Sequence, residues 1–453
     1  MKVQEQRLVS DPRQVFQGVV RKAAWSTAST ALILVAGCGN NYRPVVSAIS
    51  PVGPASQPQV YAVALSDPGV SSSGTQLPGL ITVVDVFGDT NIANANVAPS
   101  PTYLGVDSVG ESYVLHNNNV LVDTFTAAAG LQTNQVRQSS LSIGANPTQV
   151  FPGSGSNPIY ITEPGLNKVA VLTGGSPPTA RQELPVPANP VYTVGVAASP
   201  RVYTLSQGAT PGTSIGTATA IESGTNNTIS ASIPVGISPI YGVMTSDARR
   251  AFIINTGGTG TGTGTVTVLN VQGNNLDATF NVGPNPVWAD IAPAINELAV
   301  LNQGTSSTNG SLSVINIALC NSTTLPSNTQ CNPTNPTDSV NFGQTLATIP
   351  VGKNPVQVAV LSDHSKAYVI NAGDPGKSNG TISVVDLIRM VKVADIPVGG
   401  TLNWVGAVSG QPTGKVLVTA SDNQSLTIIR TDNDTVTATI PLQGKGIAVR
   451  IAQ

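Results

Sequence analysis

Seven side chains recur at one equivalent place along this chain. Tyr103, Gln149, Tyr192, Tyr241, Trp288, Gln357 and Trp404 each stand two residues after a proline or the leucine that replaces it, and Ala448 holds an eighth such place. Phenol and indole rings with polar tips, beside amides, offer apolar area together with hydrogen bonds. That combination suits sugars, planar ligands or a peptide loop. The same large side chains are equally suited to filling the interior of a closed repeat structure. Both readings are open from the sequence.

Acid–base and metal chemistry have a thinner basis. The recurrent position itself contains no His, Asp, Glu or Arg, the groups such catalysis uses. Glu163 and Asp290 are the carboxylates best placed to serve a hydrolase. Only two histidines occur, His116 at the end of a strand-like run and His364 in the turn Ser362-Asp-His-Ser-Lys366. Gly212-Thr-Ser-Ile-Gly216 matches the nucleophile-elbow string, but no strand-to-helix turn surrounds it and no suitable histidine follows. Gly257–Gly264 fits neither dinucleotide nor P-loop spacing, and Asp432-Asn-Asp434 lacks the remaining ligands of a calcium loop. No haem-attachment motif is present. The sequence therefore predicts no catalytic residue, no metal site and no cofactor.

The elements that position these residues follow from a repeated phrase. Val282-Gly-Pro-Asn-Pro286-Val-Trp returns as Val351-Gly-Lys-Asn-Pro355-Val-Gln and as Val235-Gly-Ile-Ser-Pro239-Ile-Tyr. Looser copies end at Pro101, Pro147, Pro190, Leu402 and Gly446, so successive steps are 46, 43, 49, 47, 69, 47 and 44 residues. Each step holds four short runs rich in Val and Ile, in the best copy Val356–Leu361, Ala367–Asn371, Thr381–Leu387 and Val391–Val398. Gly, Asn, Asp and Ser turns separate them, and no helical periodicity intervenes. Four strands per 40 to 50 residues make one propeller blade.

The second run of each unit carries its own signature: Ala367-Tyr-Val-Ile-Asn371, Ala251-Phe-Ile-Ile-Asn255, Leu298-Ala-Val-Leu-Asn302 and Ile159-Tyr-Ile-Thr-Glu163. Together with the Gly-x-x-Pro lead-in, this pattern resembles the YVTN β-propeller repeat family over residues 58–453. The resemblance implies a propeller, often with a binding or surface role, and no single activity. Seven units lie between Pro101 and Gly446. Ile447–Ala452 and three strands' worth of chain at Val60–Val97 are left to build an eighth blade by pairing the two ends. Eight blades are expected, with seven as the alternative. Pro44-Val-Val-Ser-Ala-Ile is a competitor for the closing strand. Strand order puts the Gly-x-x-Pro turns on one face with the loops Gln207–Gly216, Thr256–Thr265, Gln303–Gly310 and Ala372–Gly380. The seven recurrent side chains then form a ring at the channel mouth on that face.

Composition agrees with a turn-rich all-β domain: 10% charged, 4% aromatic, 45 Gly and 34 Pro, yet 40% apolar. The first 37 residues stand apart. Arg21-Lys22 precedes the apolar run Ala23–Ala36, which ends in Leu34-Val-Ala-Gly-Cys38. A basic segment, a short apolar run and small residues mark a secretion signal. Leu-Val-Ala-Gly-Cys further resembles the bacterial lipobox, which implies Cys38 as a lipid-attachment residue, residues 1–37 as the removed signal and 38–57 as a Pro-rich linker. Cys320 and Cys331 remain, with ten residues between them in the long step, and in an oxidising envelope they are expected to pair, closing an insertion at 319–345. Removing 1–37 takes five of 21 basic and two of 23 acidic side chains, leaving 16 against 21. With Arg249-Arg250 the only adjacent basic pair, and read as a solvated turn, nucleic acid is not an expected partner.

The expectation is a monomeric propeller in the bacterial cell envelope, held at a membrane by its lipid. It would act as a binding or protein-interaction scaffold for a glycan, peptide or protein. A lactonase-like hydrolase with its site at the channel mouth is the first alternative, and a structural surface protein the second.

Overall fold

A computed structural model describes residues 60–452 apart from 118–119, 154–157, 198, 224–225, 259–262, 306–308, 320–340 and 410–412. Cys38, Cys320, Cys331, the signal and linker segments and the competing run at Pro44 lie outside the described residues. Eight antiparallel sheets of four strands follow one another along the chain. Their first strands are Pro101–Val106, Gln149–Phe151, Pro190–Val194, Pro239–Met244, Pro286–Ala292, Pro355–Val360, Leu402–Val408 and Lys445–Ala452, which define blades 1 to 8. Each first strand touches those of the neighbouring blades, so together they line the axis of an eight-bladed propeller.

Blade 8 takes strands from both ends. Lys445–Ala452 pairs with Tyr61–Asp67 from Tyr61↔Ala452 to Asp67↔Lys445, and Pro78–Asp85 and Thr90–Pro99 complete the sheet. The expected closure by the chain termini is what the structure shows. It covers the edge that Tyr61–Asp67 would otherwise leave open for another chain to pair with.

The signature residues of the repeat have physical causes. Second strands such as Arg250–Asn255 and Glu297–Asn302 are buried at every position, because each sheet packs on both faces against its neighbours. One such layer joins Leu301, Leu312 and Val314 of blade 5 to Val358, Val369 and Val385 of blade 6. Each fully buried Val or Leu there contributes roughly 1.5–3 kcal/mol. Fourth strands face solvent on their outer side and alternate instead, as in Val391–Pro397. In the turn before the anchor proline, Asn189, Asn285 and Asn354 have φ of 56°, 49° and 48°, a left-handed conformation that Asn tolerates. Their side-chain amides donate to Gly208, Gly304 and Gly373 carbonyls at 2.7, 2.6 and 2.7 Å, tying each turn to the loop after the second strand. The proline that follows packs on the third strand of the preceding blade. A Cβ at Gly310 would stand 2.2 Å from Pro355 Cγ, and one at Gly264 2.2 Å from Pro286 Cδ.

Candidate functional site

The recurrent position gains its aim from a β-bulge. In seven first strands the register slips between the anchor and the residue two further on, as at Pro286/Trp288, Pro239/Tyr241 and Leu402/Trp404. A bulge bends its strand and re-aims the side chain that follows. The aromatic members meet around the axis as a result.

Tyr241 stacks on Trp288 with ring centroids 3.9 Å apart and planes 24° apart. Trp288 meets Trp404 edge to face at 5.8 Å, Trp404 meets Tyr103 likewise at 5.8 Å, and Tyr192 leans on Tyr241 at 4.7 Å. The rings thus form one run of contacts from Tyr192 through Tyr241, Trp288 and Trp404 to Tyr103. Burial pushes the Tyr192 and Tyr241 hydroxyls above the usual phenol range. All five rings are half-buried, so they fill the channel at this level and keep an exposed face. The mouth is therefore floored.

The two amides behave differently. Gln149 Oε1 accepts from Thr193 N–H at 2.9 Å while its Nε2 donates to Thr193 O at 3.4 Å. Gln357 Oε1 accepts from Val405 N–H at 2.9 Å. Each fastens its own first strand to that of the next blade, and both are buried. Ala448, in the eighth place, is fully buried.

A residue that sequence reasoning missed completes the ring. Arg450 lies two positions beyond Ala448, and its guanidinium sits 4.4 Å from the Trp404 ring centre and 5.8 Å from that of Tyr103. Its Nη2 donates to the Tyr103 hydroxyl at 3.1 Å and its Nε to Leu104 O at 3.3 Å. It occupies the gap that the small Ala448 leaves between the rings of blades 7 and 1. Cation–aromatic attraction of this kind is worth roughly 0.5–2 kcal/mol. The available signal was the alanine itself, a gap in an otherwise bulky series.

Asp290 is at the position in blade 5 that Arg450 occupies in blade 8, four residues past the anchor. Its two oxygens accept from Ile291 N–H at 2.9 Å and Val360 N–H at 2.8 Å. Burial pushes its carboxyl up to about 6 against the pull of those two bonds. Glu163 is elsewhere, inside blade 2, at the place where other blades carry the signature asparagine. It is fully buried, and neither carboxylate oxygen has a hydrogen-bond partner among the described residues. Burial, with Glu183 adding, raises it to about 7 against the opposing Arg181 and Lys168.

The histidines stand apart from the ring, as expected. His116 ends the second strand of blade 1 and pairs with Asp123 at 3.0 Å, both fully buried. Burial alone would raise Asp123, but His116, Ala98 N–H and Gln138 together hold it below the usual range. His364 is in its turn with φ 60°. Gly212-Thr-Ser-Ile-Gly216 runs from a turn into a strand rather than a helix. Asp434 of the Asp432-Asn-Asp434 turn binds Lys366 Nζ at 2.7 Å and the Tyr368 hydroxyl at 2.6 Å, clamping blade 7 to blade 6. The Arg249-Arg250 reading needs correcting in part: Arg249 is exposed, but Arg250 is buried and paired with Asp277 at 2.7 Å. Arg250 begins a second strand whose whole length is enclosed. Among the described residues no three His, Cys, Asp or Glu side chains are grouped to hold a metal, and no helix is long and apolar enough to cross a membrane.

No family model matches this chain, and no curated protein matches it in sequence. Its likenesses are to solved propeller structures. The dihydro-heme d1 dehydrogenase NirN is 10% identical with a TM-score of 0.60, over 86% of this chain and 74% of that one. Apo AztD from Citrobacter koseri is 10% identical with a TM-score of 0.56, over 87% and 98%. The hydrazine synthase of Kuenenia stuttgartiensis is 13% identical with a TM-score of 0.52, over 68% and 90%. At such identities the likeness is one of fold, and the fold hosts unrelated activities.

Proposed function

We propose that this chain is a YVTN-type propeller lipoprotein that serves the cell envelope as a binding scaffold, with the aromatic floor of its channel as the contact surface. The supporting observation is the circuit of ring contacts that runs from Tyr103 through Trp404, Trp288 and Tyr241 to Tyr192, half-buried at the end of the channel where the Gly-x-x-Pro turns lie. Flat rings with hydroxyl tips, fixed by one another, present apolar area at little cost in side-chain entropy. A glycan, a peptide or a protein loop fits such a surface. Anchoring rests on Leu34-Val-Ala-Gly-Cys38, upstream of the described domain.

The same circuit also favours a purely structural reading, in which the rings act as a plug. A thermal-shift screen of the full chain against envelope glycans, peptides, oligonucleotides and divalent metals separates the two. Binding raises the melting temperature for one class, and a Trp288→Ala/Trp404→Ala variant loses that shift. No shift with any class, in a variant that is itself strongly destabilised, makes the ring a plug and overturns the proposal.

A further inference from the structure

We infer that the channel floor recognises a carboxylate carried on a flat or apolar body, with Arg450 as the residue that binds it. This rests on the reading of the floor as a contact surface and names the chemistry of what it contacts. Arg450 is half-buried, and among the described residues no carboxylate pairs with it. The contrast within the molecule is clear, because Arg250 and Lys415, the most buried other cations, each face an aspartate at 2.7 Å. A partly desolvated guanidinium without a counter-charge is costly unless an anion completes it.

The protein groups around Arg450 spend only part of its donor set. Leu104 O takes the Nε proton and the Tyr103 hydroxyl takes one Nη2 proton, which leaves both Nη1 protons and the second Nη2 proton of the fork. The guanidinium carbon stands over the Trp404 ring, 4.4 Å from its centre. The Trp404 Nε1–H is itself buried and has no acceptor among the described residues. The cluster is thus rich in donors and poor in acceptors, while the rings beside it offer apolar faces. Asp290, the one carboxylate at the equivalent level, is held by two backbone N–H groups rather than by Arg450. A planar carboxylate matches a guanidinium fork in two parallel hydrogen bonds, and a flat body attached to it can lie on the Trp288 and Tyr241 rings.

Indole emission tests this directly, because Trp25, Trp288 and Trp404 are the only tryptophans. In the full chain carrying Trp25→Phe, both remaining indoles belong to the floor. The titrants are galacturonate and its disaccharide against galactose, and benzoate against benzyl alcohol. The expected result is saturable quenching in which one carboxylate series binds at least tenfold more tightly than its neutral counterpart. Arg450→Leu should abolish that preference and Arg450→Lys retain part of it. Which series responds tells an acidic sugar from an aromatic acid. If neutral and charged titrants quench with equal affinity, the carboxylate inference fails and the contact-surface reading stands. If none quenches, both fail. The preference in the parent chain decides the matter even if Arg450→Leu does not fold.

Discussion

A Cβ on Gly352 would lie 2.6 Å from the Cγ of Asn371. The glycine of the Gly-x-x-Pro phrase and the asparagine that ends the second strand of the same blade are therefore one packing unit, although 19 positions separate Gly352 from Asn371 in the sequence. Gly236 with Asn255 and Gly283 with Asn302 repeat the contact at 2.6 Å. Each asparagine is fully buried and its amide donates within its own sheet, Asn371 to Val369 O, Thr381 O and the hydroxyls of Thr381 and Ser383. Only glycine leaves room for that side chain.

Gly352→Ala should accordingly destabilise the fold by about 1–3 kcal/mol through overpacking. In an Asn371→Ala background the same change should cost much less, since the obstructing Cγ is gone. A double-mutant cycle by urea denaturation measures this coupling. Additive losses would show that the two residues act independently.

Two blades place an ionisable group where blades 4, 5 and 6 use asparagine, and they solve the problem differently. In blade 1, His116 replaces the asparagine and Asp123 replaces the strand-three hydroxyl residue, giving a satisfied pair. Blade 2 has Glu163 opposite Ala170-bearing strand three and gains no such partner. Because the folded state raises Glu163 from 4.5 to about 7, it favours the protonated form. Its stabilising contribution is full below pH 4.5 and is lost as pH rises through about 7. Glu163→Gln should remove this dependence. Relative to the parent, the variant should gain on the order of 2–3 kcal/mol between pH 4.5 and 8. Equal stability differences at both pH values would mean that Glu163 titrates normally.

Asp290 titrates in the channel and has a reporter beside it. Its folded value of about 6 exceeds the ordinary 3.8, so the same sign applies, with stability lost as pH rises from 3.8 through 6. Trp288 is two residues away on the same strand, and Tyr241, on which Trp288 stacks, feels the Asp290 charge. Indole emission should therefore change with a midpoint near 6, and Asp290→Asn should abolish the step. A flat profile between pH 4 and 8 would place the carboxyl outside the reach of the floor.

The architecture was legible because a propeller writes its geometry as a period. Val282-Gly-Pro-Asn-Pro286 and its copies mark equivalent points in space, so the ring of Tyr103, Tyr192, Tyr241, Trp288 and Trp404 could be read by counting. What counting misses is reach. Arg450 enters the ring from two residues further along, and Gln149 and Gln357, counted into it, turn sideways to bind Thr193 and Val405 of the next blade. Long side chains choose partners by geometry, which the period does not encode. The Gly352–Asn371 contact was hidden for a similar reason, since the two letters look like separate turn and strand signals.

The strand that closes the ring should behave as a removable clamp. Lys445–Ala452 is the only inner strand supplied by the C-terminus. It carries Ala448 and Val449 into the core and Arg450 into the channel. Deleting residues 443–453 strips one whole edge from Tyr61–Asp67 and exposes its backbone groups beside an apolar face. The loss of buried side chains and of one ladder should cost roughly 5 kcal/mol or more. The truncated chain should melt well below the parent and form oligomers on size-exclusion chromatography, as open edges find each other. A synthetic peptide of residues 443–453 added in trans should restore both properties, because it replaces the missing strand in register. The same peptide carrying Val449→Asp should not, since that side chain is fully buried against blade 7. If the truncated chain melts with the parent and stays monomeric, closure by the termini is dispensable, and the ring is held by the packing between blades alone.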